Sequence, residues 1–416
     1  MKISLLLERE NFKTIFKKTL EGFLEDFTKE KHQVCWYSKS EKITEKGHQI
    51  WYCNPLINSI FVAGAKENIF DPITEEYSHN PLKPWRSQLQ KLYLYFSKNK
   101  YLSIYMSKYI ITVSPKIKNG ENILIIGGNT KIRMIDRTSK RVYTILKSGF
   151  KNSYIHKELY VRSSFPYLPL TKISQVGKSK SWFCEEYISG IPPDRMEKIN
   201  GHKVLHNAID SINKMLIETK KTEYLSSYVN RLKIQILNSL NEIDHITPKS
   251  KSRIKEIIIN LKRYLKKDFD TLIKISYCHG DFQQGNVIFD GEKTWIIDWE
   301  YSGYRQIGYD LFVLLLKSRV AAGFSKRFLK FIINQLNRSQ IDVLSKWTEI
   351  KDFNSKERNT YLFVFLFEEL SLHIEENSNI TFKRMSAGLE SIIFSIESIL
   401  DELKFTSNEI IELHNQ

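Results

Sequence analysis

Apolar and polar residues alternate in short runs through the middle of the chain and recur at helical spacing towards both ends. Residues 122–126 read as a strand and Gly127-Gly128-Asn129-Thr130 as a turn; residues 131–136 then alternate polar and apolar side chains like a half-buried strand. A second turn, Arg137-Thr138-Ser139-Lys140, leads into a third strand over 141–147 that ends in Lys147. Residues 152–165 have a helical pattern, and 182–188 form a strand that the chain leaves at Pro192-Pro193. Farther on, residues 287–289 and 294–297 are short apolar strands joined by Asp290-Gly291-Glu292-Lys293, a hairpin turn with Asp-Gly as its punctuation. Helical runs follow over 310–316, 328–336, 360–374 and 384–403, and 202–265 is helical as well. Near the start, Phe12, Ile15, Phe16, Leu20, Phe23, Leu24 and Phe27 fall on one side of an amphipathic helix, with β-prone segments at 34–37 and 50–53 beyond it.

The second hairpin carries the chemistry. His279-Gly280-Asp281 precedes it, Asn286 immediately enters its first strand, and Asp298 closes its second. The hairpin therefore brings Asn286 and Asp298 to the same end. A carboxylate able to orient a hydroxyl, a neutral amide oxygen and a second carboxylate are what phosphoryl transfer asks of a protein, because the work is positioning and charge neutralisation. Hard oxygen donors suit Mg2+, which binds to one or two protein ligands together with substrate phosphates. A capping role would account for Asp281 or Asp298 singly, not for the whole set.

Residues 279–286 and 298–311 resemble the aminoglycoside phosphotransferase and choline kinase superfamily of small-molecule kinases. The shared features are His-Gly-Asp-x-x-x-x-Asn, Ile297-Asp298-Trp299-Glu300 and Gly308-Tyr309-Asp310-Leu311. The resemblance implies an ATP- and Mg2+-dependent enzyme in which Asp281 orients and deprotonates the acceptor, Asn286 and Asp298 hold the metal, and Asp310 braces the catalytic loop. His279 becomes a packing and hydrogen-bonding residue. The strand ending in Lys147 is similar to the Val-Ala-Ile-Lys strand of kinases, so Lys147 is expected to hold nucleotide phosphates and Glu158, the one acid of its helix, to position Lys147. The Gly127-Gly128-Asn129 turn would offer backbone amides to phosphates, although such a turn also serves an ordinary hairpin. Residues 182–190, with Glu185 and Tyr187, resemble the segment whose backbone meets adenine. Gly280 and the absence of Asp-Phe-Gly argue against a protein kinase.

The implied fold class is α+β: a two-lobed, protein-kinase-like fold with a small β-rich N-lobe at 116–190 and a helical C-lobe at 191–416. Residues 1–115 carry no kinase motif and are expected to form an extra N-terminal α+β domain. Length alone, at 416 residues, asks for more than one core. Four cysteines make no disulfide framework and fit a reducing cytosol; His32, Cys35, His48 and Cys53 have a spacing reminiscent of zinc sites but read better as thiols in a small core. The leucine run at residues 5–7 is too short for a signal peptide, and no run approaches a membrane span.

Net charge is +16, an oddity that either marks an anionic substrate or surface or follows from a Lys-, Ile- and Asn-rich composition. It suits a polycationic antibiotic poorly. Nucleic acid is not among the expected partners. The basic helix over 249–267 has an apolar side that belongs to the core or to a membrane surface. Glu368, Glu369, Glu375 and Glu376 are either a solvated face or binders of a cationic or polyhydroxyl acceptor. A sugar or sugar-containing molecule is the expected acceptor, choline or a related amino alcohol the alternative, and a nucleotide-binding scaffold without activity the rival from another class.

Overall fold

The computed structural model describes residues 2–41, 47–78, 84–99, 101–379 and 381–414. The chain divides into two compact units, the first formed by residues 1–156 and 171–190, the second by 157–170 and 191–416.

The first unit opens with helices α1 (Ile3–Arg9) and α2 (Phe12–Thr28), followed by strands β1 (Gln33–Ser38), β2 (Gln49–Asn54) and β3 (Ser59–Val62). Helices α3 (Asp71–Ser78), α4 (Pro84–Lys98) and α5 (Ser103–Met106) come next, then β4 (Tyr109–Ser114), β5 (Ile123–Gly127), β6 (Lys131–Asp136) and β7 (Arg141–Leu146). Helix α6 (Ser153–Ser164) begins in this unit, which β8 (Ile173–Val176) and β9 (Trp182–Glu186) complete. All nine strands join one antiparallel sheet in the order β1-β4-β2-β3-β5-β6-β7-β9-β8. Residues 1–115 are therefore not set apart at residue 115: Ser59 pairs with Ile126 and Phe61 with Leu124, so the ladder runs straight through the expected boundary. Period-two alternation exposes two apolar faces. One is covered by α1 and α2, where Phe12, Phe16 and Leu20 share a cluster with Trp51, Ile125 and Trp182. On the other, Phe70 and Leu94 pack with Phe61, Leu124 and Val142. Each fully buried aromatic or aliphatic side chain of this kind contributes roughly 1.5–3 kcal/mol.

In the second unit α7 (Lys198–Glu218), β10 (Lys221–Tyr224), α8 (Leu225–Glu242) and α9 (Pro248–Leu265) lead to β11 (Leu272–Cys278). The hairpin β12 (Val287–Phe289) and β13 (Thr294–Ile296) pairs Val287 with Ile296, and β14 (Gly303–Gln306) returns to β11. Helices α10 (Tyr309–Leu316), α11 (Phe324–Ile332), α12 (Arg338–Ser345), α13 (Ser355–Asn377) and α14 (Ala387–His414) follow. Capping boxes start α12 and α13, at Asn337/Gln340 and Asn354/Glu357. The apolar side of α9 (Ile254, Ile257, Ile258, Leu261, Leu265) lies in the main core, which accounts for it without a membrane. No described helix is long and apolar enough to cross one.

Candidate active site

Strand β11 delivers the chain to His279, and the loop that follows is tied down residue by residue. Asp310, in the first turn of α10 and fully buried, accepts the backbone N–H of His279 at 2.7 Å and of Gly280 at 2.9 Å. Burial raises the Asp310 carboxyl above its ordinary value, against the pull of His279 and these two amides. Gly280 has φ +83°, and a Cβ there would lie 2.1 Å from the Tyr301 carbonyl oxygen, so glycine is required on two counts. The His279 ring accepts from the Asp281 amide through Nδ1 (3.2 Å), which leaves Nε2–H to donate to Ile297 O at 2.9 Å. That bond joins the loop to the strand bearing Asp298, with the imidazole 4.4 Å from the Trp299 ring centroid. The histidine is a clamp between two segments.

Asp281 sits among donors. Its Oδ2 accepts from Asn286 Nδ2 at 2.9 Å and Gln283 Nε2 at 3.0 Å, and its Oδ1 from Arg319 Nε at 2.6 Å. Asn286 spends its amide nitrogen on Asp281, which leaves Oδ1 as its cation donor. Asn286 O accepts from Ile297 N at 2.9 Å, so the hairpin register fixes Asn286 next to the residue preceding Asp298. Asp298 itself adopts the left-handed conformation, φ 67° and ψ 56°, uncommon for a residue with a side chain. Two hard oxygen donors held at one end of a hairpin fit a Mg2+ ion.

Arg319 continues the network away from the loop. Its NH1 meets Glu369 Oε2 at 2.5 Å and its NH2 meets Gly280 O at 3.0 Å. Glu369 also takes a short hydrogen bond from Tyr309. Its neighbour Glu368 accepts from Tyr228 and from Gln306 N, and burial pushes its carboxyl up to about 8. Both acids are completely buried, Glu369 paired with Arg319 and Glu368 bonded through Oε1 alone, so neither is a solvated face.

In the first unit, Lys147 follows β7 and its side chain is sealed from solvent. Its Nζ lies 2.5 Å from Glu10 Oε1 and 3.4 Å from Gly128 O, so the lysine and the glycine turn are brought together. Glu10 also binds Arg9 at 2.8 Å, and Arg9 reaches Asn129. Gly127 lies under α1: a Cβ would sit 2.8 Å from Ile3. Glu158, on the part of α6 that belongs to the second unit, pairs with Arg162 at 2.5 Å, one turn along the helix. Glu185 accepts from Thr144 at 3.2 Å and Thr171 at 2.5 Å, and Tyr187 stacks under Arg137, so these two side chains serve the sheet.

Glu10, Arg319 and Gln283 escaped the sequence reading. Glu10 lies 137 residues from Lys147 in a segment without motifs; Arg319 follows an apolar helix and looks like any of the chain's many cations. Only Gln283, inside the loop motif at a variable position, was within reach of a closer reading.

A family model described as choline/ethanolamine kinase matches residues 183–333, the stretch that contains the loop and the hairpin. A curated relative, "Probable ethanolamine kinase B" of Dictyostelium discoideum, is 29% identical over 112 residues, covering 26% of this chain and 25% of its own. The chain thus matches about a quarter of that relative's length. Among solved structures, a choline/ethanolamine kinase family protein from Mesorhizobium loti is similar at 14% identity and a TM-score of 0.47, over 76% of this chain and 96% of its own. Aminoglycoside phosphotransferase APH(4)-Ia is similar at 12% identity and 0.45, over 67% and 93%.

Proposed function

We propose that the protein is an ATP- and Mg2+-dependent phosphotransferase acting on a hydroxyl of a small molecule, in the cytoplasm. The observation that carries this reading is the braced loop, in which Asp310 and His279 fix the backbone while Asn286, Gln283 and Arg319 fix the Asp281 carboxylate. Asp281 accepts the hydrogen bond of the acceptor hydroxyl, aims its oxygen and takes its proton as the new O–P bond forms. Asn286 and Asp298 would hold Mg2+, which when bound neutralises charge on the phosphate oxygens. Lys147 would supply positive charge for nucleotide phosphates, with Glu10 as an acid that holds its ammonium. The match to the choline/ethanolamine kinase family model and the likeness to an ethanolamine kinase support a small alcohol as acceptor and lend nothing to the expected sugar.

The test is transfer of labelled phosphate from Mg·ATP into a fractionated pool of alcohols, amino alcohols and metabolites, with Asp281→Ala as control. Label in a discrete fraction, lost in the variant, is the expected result. An unlabelled pool with ATP still bound would favour a nucleotide-binding scaffold.

A further inference from the structure

Within the second unit, a cavity of about 620 Å³ opens between α7, α10, α11 and α12. A smaller one of about 210 Å³ adjoins the catalytic loop at Gln283, Gln284 and Gly285 and reaches Arg319, the residue bonded to Asp281. The two share Asp194, Gln284, Leu314 and Lys317, so they adjoin, the smaller meeting Arg319 beside the catalytic carboxylate.

The charge along the larger cavity is one-sided. Lys198, Lys317, Arg327 and Lys330 line it against a single carboxylate, Asp194. Among the described residues none of these four cations has a carboxylate within ion-pair distance; Arg327 instead donates to the carbonyls of Leu316, Ala322 and Lys317 at 2.6, 2.7 and 3.2 Å, leaving its charge uncompensated. His202 and His206 also line it, His206 bonded to Asp342 at 3.1 Å. Leu205, Leu314 and Leu315 supply an apolar floor. Of the four acids that could have welcomed a cation, Glu368 and Glu369 are sealed in the core, while Glu375 and Glu376 are half-buried and line neither cavity. A cavity with this lining draws anions and repels ammonium groups.

We infer that the acceptor is an anionic alcohol, a small hydroxyl compound whose phosphate or carboxylate group sits among Lys198, Lys317 and Lys330 while its hydroxyl reaches Asp281. This rests on the phosphotransferase reading and narrows it. In the step, the acceptor oxygen forms a bond to the γ-phosphorus as the bond to ADP breaks; the hydroxyl proton passes to Asp281 and ADP leaves with the bonding pair.

Two measurements on the full chain separate the inference from its premise. The first is binding of pyrophosphate by calorimetry with ADP saturating, for the wild type and for a Lys317→Glu/Lys330→Glu variant. Pyrophosphate should bind the wild type and lose about tenfold in affinity in the variant; Lys249→Glu/Lys255→Glu, the same charge change at exposed positions of α9, should bind as the wild type does. No binding, or equal binding to the Lys317→Glu/Lys330→Glu variant, overturns the anion-binding cavity whatever the kinase assay gives. The second compares glycerol 3-phosphate, glucose 6-phosphate and glycerate with choline and ethanolamine as acceptors, the glycerate arm distinguishing carboxylate from phosphate. Turnover confined to the anionic set, with KM raised about tenfold in the Lys317→Glu/Lys330→Glu variant, is expected. Choline or ethanolamine as the better substrate overturns the inference. Pyrophosphate bound as expected with no acceptor phosphorylated supports the anion-binding cavity and counts against the phosphotransferase reading alone.

Discussion

Lys147 in the β-rich unit and Asp281 in the helical unit are each held by an opposite charge, but under different conditions. The Lys147–Glu10 pair has no exposed side-chain surface at either partner, whereas Asp281 and Arg319 keep 15% and 18%. A sealed pair is costly to break, because the surviving charge has no water to turn to. Arg319, by contrast, keeps Glu369 when Asp281 is lost. Removing Glu10 should therefore be felt first as instability, and removing Asp281 as lost chemistry in a protein that still folds.

The sharpest way to break this contrast is Glu10→Ala, which should cost about 3–5 kcal/mol and be seen as a large fall in thermal midpoint. A midpoint within a degree of the wild type would mean that the Lys147 site does not depend on Glu10. Gly280→Ala comes next. Its Cβ would collide with Tyr301 O and its φ of +83° suits glycine, so a loss of about 2 kcal/mol is expected, with turnover falling much more than ATP affinity. Unchanged kinetics would show that the loop geometry is not what positions Asp281.

The smallest effect per pH unit concerns Glu368, whose folded carboxyl is pushed up to about 8 against an ordinary 4.5. Between those values the folded state keeps a proton that the unfolded chain has released, so this group's contribution falls as pH rises, by about 1.4 kcal/mol per unit. Glu368→Gln should flatten the stability profile between pH 5 and 8, as read from urea unfolding at several pH values; a profile as steep as that of the wild type would show that Glu368 is already ionised.

The same contrast shows what the sequence could disclose. The Asp281 cluster was legible because its parts lie within 20 residues and the β12–β13 hairpin converts that spacing into proximity through local turn chemistry. Strands β5 to β7 were legible through alternation, α2 and α9 through helical periodicity. The join between β3 and β5 was not, because alternation says that a strand has two faces and nothing about which strand lies beside it. Residues 1–115 looked self-contained for that reason, and Glu10 went unnoticed with them. Glu368 and Glu369 were misjudged because charge runs on helices normally face water; here Tyr228, Tyr309 and Arg319 provide the compensating partners, all remote in sequence.

The most direct test of the central claim is Asp281→Asn, which keeps the size and most of the hydrogen bonding of the side chain and removes its charge. The account predicts a thermal midpoint close to that of the wild type, ATP affinity within about threefold, and phosphoryl transfer reduced by roughly 10²–10⁴. Transfer at the wild-type rate in a folded, ATP-binding variant would contradict it.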